Sequence, residues 1–97
     1  DEEIKKYNER KTFKIEGKSD LGDNLIHLKN EKIAIKIDVE RHEKNVLSGM
    51  PNILNNNKVI MQIELFEERK KEIFEYLNNN NYINFHAIKK DYYFKNF

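Results

Sequence analysis

The chain has 97 residues, with 18 Lys and Arg against 17 Asp and Glu for a formal net charge of +1, and it contains no Cys. That length supports one domain or part of one, and the missing thiols exclude disulfides and thiolate metal sites. Balanced charge argues against a dedicated nucleic-acid binder, and no apolar run approaches the roughly 18 residues of a membrane span.

No basic-then-apolar leader is visible, so a cytoplasmic location is expected. The chain begins at Asp1 without an initiator Met, which reads as trimming or as a piece of something longer. Residues 1–10 are charged, with only Ile4 and Tyr7 apolar, and read as a frayed helix or the tail of another element. Thr12–Glu16 alternates Phe13 and Ile15 as a short strand ended by Gly17. Ser19 or Asp20 can cap a helix running to Asn30, because Leu21, Leu25 and Leu28 fall at i, i+4 and i+7.

Residues 32–39 are the strongest strand. Ile33, Ile35, Ile37 and Val39 take one face; Ala34, Lys36 and Asp38 take the other. Asp38 closes the strand, and Glu40, Arg41, His42 and Glu43 open the next helix, whose positive end suits acids. Val46, Leu47, Met50, Ile53 and Leu54 form a stripe on that helix for packing against a sheet. Pro51 fits a first turn and not an interior one, so a kink or a restart is expected there. Asn55–Asn57 ends the helix, with Asn suited to a left-handed terminus.

Lys58–Leu65 alternates Val59, Met61, Ile63 and Leu65 against Ile60, Gln62 and Glu64 as a second strong strand. Glu67–Asn79 is a helix with Ile73, Phe74 and Leu77 facing inward, closed by four consecutive Asn at 78–81. Tyr82–Ile88 and Tyr92–Phe97 are aromatic-rich strands that Lys89, Lys90 and Asp91 can join as a hairpin. Strands separated by helices imply an α/β sheet with parallel pairing through right-handed crossovers, and the terminal pair adds an antiparallel C-terminal edge.

Parallel strands set their carboxyl ends along one rim, where ligands of open α/β sheets bind. Asp38 ends the first strong strand and Glu64 nearly ends the second, so neighbouring strands bring the two acids together about 4.8 Å apart. Such a pair can hold a hard cation, orient a hydroxyl or act as a base. The plainer alternative is that both acids cap helices or pair with Lys36, Arg41 or Arg69. His42 reads as an exposed helix-start residue, and His27 and His86 carry no role. Lys70-Lys71 and Lys89-Lys90 read as solvated faces. Tyr82, Phe85, Tyr92, Tyr93, Phe94 and Phe97 can line a pocket, although covering a sheet face is their ordinary use. Neither a nucleophile elbow nor a phosphate-binding Gly-rich loop is present, and the Gly stand apart at 17, 22 and 49.

With these residues in place, IKIDVERHEKNVLSGM (35–50) followed by VIMQIEL (59–65) resembles the C-terminal half of FkbM-type S-adenosylmethionine-dependent methyltransferases. Lys36, Asp38, Val39, Glu40, Glu43, Val46, Leu47, Gly49 and Glu64 match the family's strand–helix–strand pattern. SDLGDNL (19–25) looks like its Leu-Asp helix, and LNNNNYINF (77–85) like its Leu-x-x-x-Gly-Tyr transition, with Asn81 in the Gly place. Arg41 also stands where the family has Gly, and a long side chain there offers neither a tight turn nor close backbone approach to a ligand.

The resemblance implies a partial Rossmann-like, class I methyltransferase three-layer sandwich: one partial domain over 1–97, lacking the N-terminal cofactor-binding half. It implies an S-adenosylmethionine-dependent O-methyltransferase acting on a sugar or natural-product hydroxyl, with the isolated chain inactive. Asp38, Glu40 and Glu64 are then the expected catalytic residues, Asp38 and Glu43 the cofactor-binding ones, and no metal is expected. Expected partners are a small-molecule or glycan acceptor and either a second copy or the missing half; neither nucleic acid nor membrane is expected. Without the family's first strand, residues 32–39 would expose a flat apolar edge, so TFKIE must fold over it or another chain must pair with it. The competing expectation is a non-catalytic α/β interaction module pairing through that open edge.

Overall fold

The computed structural model describes residues 11–16 and 28–97, which form an α/β structure on one mixed five-stranded sheet. In chain order the elements are β1 (Lys11–Glu16), β2 (Lys32–Asp38), α1 (Glu43–Ser48), α2 (Pro51–Asn56), β3 (Lys58–Glu64), α3 (Glu67–Asn79), β4 (Ile83–Ile88) and β5 (Asp91–Lys95). Strand order across the sheet is β1-β2-β3-β5-β4. β1, β2 and β3 are parallel neighbours, whereas β5 is antiparallel to both β3 and β4. Residues 1–10 and most of the helix expected to end at Asn30 lie outside the described residues; 28–30 are not helical.

The period-2 pattern of β2 and β3 divides the sheet into unlike faces. Ile33, Ile35, Ile37, Val59, Met61 and Ile63 point into the main core, where Leu47, Ile53, Leu54, Ile73 and Leu77 from the helices meet them. Each such side chain contributes roughly 1.5–3 kcal/mol by leaving water. The opposite face holds a smaller apolar cluster of Ala34 and Ile60 with Phe85 against it, and among the described residues no helical side chain belongs to it. α1, α2 and α3 therefore form one layer on one side of the sheet.

β1 lies in parallel register along β2, from Lys11 beside Ile33 to Glu16 beside Asp38. The apolar edge of β2 is thus covered by TFKIE, one of the two ways open to it. Pro51 begins α2 after the short α1, so the interruption is a restart rather than a kink.

Three details depart from expectation. The helix after β2 starts at Glu43 and not at Glu40, because Arg41 takes a left-handed φ of 68° that no α-helix accommodates. That same φ means Arg41 does make the tight turn denied to it above. Asn57 is extended (φ −136°), not left-handed, since its side chain is committed to hydrogen bonds with Leu28, Glu31 and Ile53. The terminal pair forms the antiparallel C-terminal edge as expected. β5 carries the fully buried Phe94 and inserts beside β3, which leaves the largely exposed β4 outermost.

Candidate functional site

The parallel register puts an acid at the carboxyl end of each strand in turn. Glu16 pairs with Asp38, Ile37 with Ile63 so that Asp38 stands beside Glu64, and Glu64 pairs with Asp91 at the start of β5. Four carboxylates consequently cross the sheet in one row, with neighbouring strands about 4.8 Å apart. Behind this row Lys36, Asp38, Gln62, Glu64 and Asp91 line a polar depression of about 130 Å³.

The charges in the row are unequally compensated. Glu16 forms an ion pair with Lys14 that holds its carboxyl below, and the ammonium above, their ordinary values. Among the described residues Asp38, Glu64 and Asp91 have neither an ion pair nor a side-chain hydrogen bond. The expected alternatives do not occupy them, since Arg41 is 3.5 Å from Glu68 instead. Tyr93, beside Gln62 on the same face, has its phenol pushed up by burial and by the negative charge of Asp91. Such a rim can accept hydrogens from a ligand's hydroxyl or ammonium groups, with Lys36 and Gln62 as donors. Among the described residues no group of three or more His, Cys, Asp or Glu is placed to hold a metal ion.

Asp38 and Glu64 are brought together as the spacing suggests, and Glu40 is exposed on the turn beyond the strand, outside the depression. Glu43 is only 1% exposed and does not line the depression. Its Oε2 accepts the Arg41 backbone N–H at 2.7 Å, fastening the left-handed turn, while Oε1 is buried without a partner. Arg69 Nε, on α3, is likewise buried and unpartnered. An unmet buried polar atom costs about 1–3 kcal/mol, so each of these two atoms is held at a cost. Asp91 and Glu16 were missed as rim residues; only strand register, and the hairpin turn falling on Lys89–Lys90 alone, puts them there.

The other polar residues sit in ordinary surroundings, although Lys70 is half-buried and not on a fully solvated face. His42 is exposed just before α1. Lys70 lies over the rings of Phe74 and Tyr92, and Lys90 over Phe66 at 4.6 Å, so these cations cover aromatic surface. No helix among the described residues is long and apolar enough to cross a membrane.

S-adenosylmethionine is the cofactor the sequence resemblance implies, and the rim fits it only in part. Asp38 and Glu64 can accept from hydroxyls or an amine, but a depression of about 130 Å³ is smaller than the 300–1,000 Å³ usual for ligands of that size. Comparison of the chain with family models, with curated proteins and with solved structures finds no match.

Proposed function

We propose that this chain is the C-terminal portion of an FkbM-type, S-adenosylmethionine-dependent O-methyltransferase acting on a sugar or natural-product hydroxyl. On this reading the sheet is part of a Rossmann-like three-layer sandwich, whose second helical layer and cofactor-binding half come from elsewhere. The observation that carries it is conformational. At two of the three positions where the family pattern has Gly, this chain has Arg41 and Asn81, with φ angles of 68° and 69°, while the matched Gly49 takes an ordinary φ of −84°. Left-handed backbone is the physical reason for Gly at such places. The pattern therefore requires of the backbone what the backbone does, at two sites 40 residues apart. The paired ends of β2 and β3 support the same reading by setting Asp38 beside Glu64 on the rim.

In this role Asp38 positions the acceptor hydroxyl or takes its proton, with Glu64 beside it. Alignment of acceptor and methyl group supplies much of the rate in such a displacement. Glu43 serves the turn rather than the ligand, and Glu40 is at the solvent side of it. The bound cofactor would supply the methyl group, and its main contacts lie outside these residues.

The test begins with the coding sequence upstream of Asp1, which should encode a strand, a Gly-rich turn and an acidic residue. The longer product should bind S-adenosylmethionine by calorimetry, and Asp38→Asn in it should lower methyl transfer about 100-fold or more. The isolated chain should show no micromolar binding. A start codon immediately before Asp1, or tight cofactor binding by the chain alone, would overturn the proposal.

A further inference from the structure

The sheet ends in two unlike strands. Three of the six residues of β1 are charged (Lys11, Lys14 and Glu16), which is a usual way of keeping an edge from pairing with another chain. β4 reads Ile-Asn-Phe-His-Ala-Ile, without Lys, Arg, Asp, Glu or Pro. Ile83 and Ile88 at its two ends are 56% and 50% exposed, and among the described residues no strand lies beyond it.

We propose that β4 pairs antiparallel with β4 of a second copy of this chain, about a two-fold axis between Phe85 and His86. The seam is independent of the methyltransferase reading. Its phase follows from the hairpin. The turn at Lys89–Lys90 closes on Ile88 and Asp91. Alternation in an antiparallel ladder then turns the backbone groups of Ile88 and His86 toward β5 and those of Ala87 outward. The register shift between Asn84 and His86 inserts one residue and moves the count by one, so Asn84 also presents its backbone outward.

Asn84 can therefore exchange both backbone bonds with Ala87 of the second copy. Ile83 falls beside Ile88 of that copy on the same face, at the closer, non-bonded spacing. In a strand without the extra residue, this same two-fold pairing would set an outward group against an inward one. The bulge thus moves the two-fold from a residue, where a regular strand would have it, to the space between Phe85 and His86.

Charge agrees with this arrangement. The same register carried on sets Lys89 beside Tyr82 and Lys90 beside Asn81 of the second copy, so no cation faces a cation. A net charge of +1 adds little repulsion between copies. A six-residue seam is well short of the roughly 1,600 Å² of a standard interface. Its dissociation constant should accordingly be on the order of 10–100 µM.

Sedimentation equilibrium from about 5 to about 500 µM spans that range. The expected result is a monomer–dimer equilibrium, with the Asn84 and Ala87 amides exchanging more slowly as concentration rises. The double variant I83K/I88K sets Lys beside Lys twice and should weaken the dimer at least about tenfold. I83E/I88K sets Glu beside Lys twice and should restore it to within about threefold, in a salt-sensitive form. Both sites are exposed, so the fold should persist, and far-UV circular dichroism checks that it does. A wild-type chain still monomeric at the top concentration would overturn the proposal. So would an I83K/I88K dimer of undiminished affinity, or folded I83E/I88K that stays monomeric. Should either variant unfold, amide exchange in the wild-type chain decides: no concentration dependence at Asn84 and Ala87 refutes the seam.

Discussion

The two ends of the parallel strands treat polar groups in opposite ways. At the amino end, Asn57 accepts from Glu31 N–H and donates to the carbonyls of Leu28 and Ile53. Asn96 accepts from Val59 N–H and donates to the carbonyls of Leu54 and Asn57, and the Tyr82 hydroxyl donates to Leu54 at 2.8 Å. Neutral side chains there close backbone groups just before β2, in β3 and at the end of α2. At the carboxyl end, Asp38, Glu64 and Asp91 stand in a row with no partner among the described residues. Free energy is gained at the first end and left unclaimed at the second. Binding sites often have that character, because groups arranged for a ligand are not arranged for one another.

This contrast predicts substitutions of opposite sign, and the largest effect belongs to the amino end. Asn57→Ala leaves one half-buried N–H and two buried carbonyls without their partner, and should cost about 3 kcal/mol in urea denaturation. A loss below about 1 kcal/mol would mean that water replaces the amide and that this end is no tighter than the other.

Tyr82→Phe should cost about 1 kcal/mol at neutral pH through the lost hydroxyl bond. It should also change the alkaline limb of the stability curve. Burial raises the Tyr82 phenol far above its ordinary value. A phenol so raised contributes stability that is intact below the unfolded value near 10 and lost as pH climbs from there toward the folded value. Wild-type stability should fall above about pH 10 by up to about 1.4 kcal/mol per pH unit from this group, and the Phe variant should lack that component. Equal slopes in the two proteins would show that the phenol is hydrated.

At the carboxyl end the sign reverses. Asp38→Asn with Glu64→Gln removes like charges from neighbouring strands and should stabilise the chain by about 0.5 kcal/mol at low salt. The gain should vanish near 1 M salt, where the screening length is about 3 Å. Destabilisation instead would mean that the acids have structural partners and that the two ends are alike.

How much of this was legible in the sequence differs between the same two ends. β2, β3 and α3 follow from hydrophobic period, and the meeting of Asp38 with Glu64 follows from parallel pairing. Asp91 and Glu16 were not legible as rim residues, because period states which face a side chain takes but not which residue of a distant strand lies beside it. The Asn57–Asn96–Tyr82 network escaped for the same reason, since its partners are up to 42 residues apart. Asn57 looked like a left-handed helix end because that is what Asn most often supplies there. Its long-range bonds decided otherwise. Glu43 looked like a rim acid, yet its carboxylate turns inward to the Arg41 N–H.

Arg41 joins these strands of argument and gives the smallest effect. Its φ of 68° costs a side-chain-bearing residue about 1–2 kcal/mol, and Gly avoids that cost. Gly also adds freedom to the unfolded chain, worth about 0.4–1 kcal/mol in the other direction. The Arg41–Glu68 pair is exposed and contributes little. Arg41→Gly should therefore change stability by no more than about 0.5 kcal/mol, while Arg41→Ala keeps the left-handed cost and loses the pair. The sharper quantity is the difference between the two variants, in which the lost guanidinium cancels: Gly should exceed Ala by about 0.5–1 kcal/mol. If Ala equals or exceeds Gly, the turn after β2 is not left-handed in solution. The correspondence on which the proposed kinship rests then fails at 41 and keeps only Asn81.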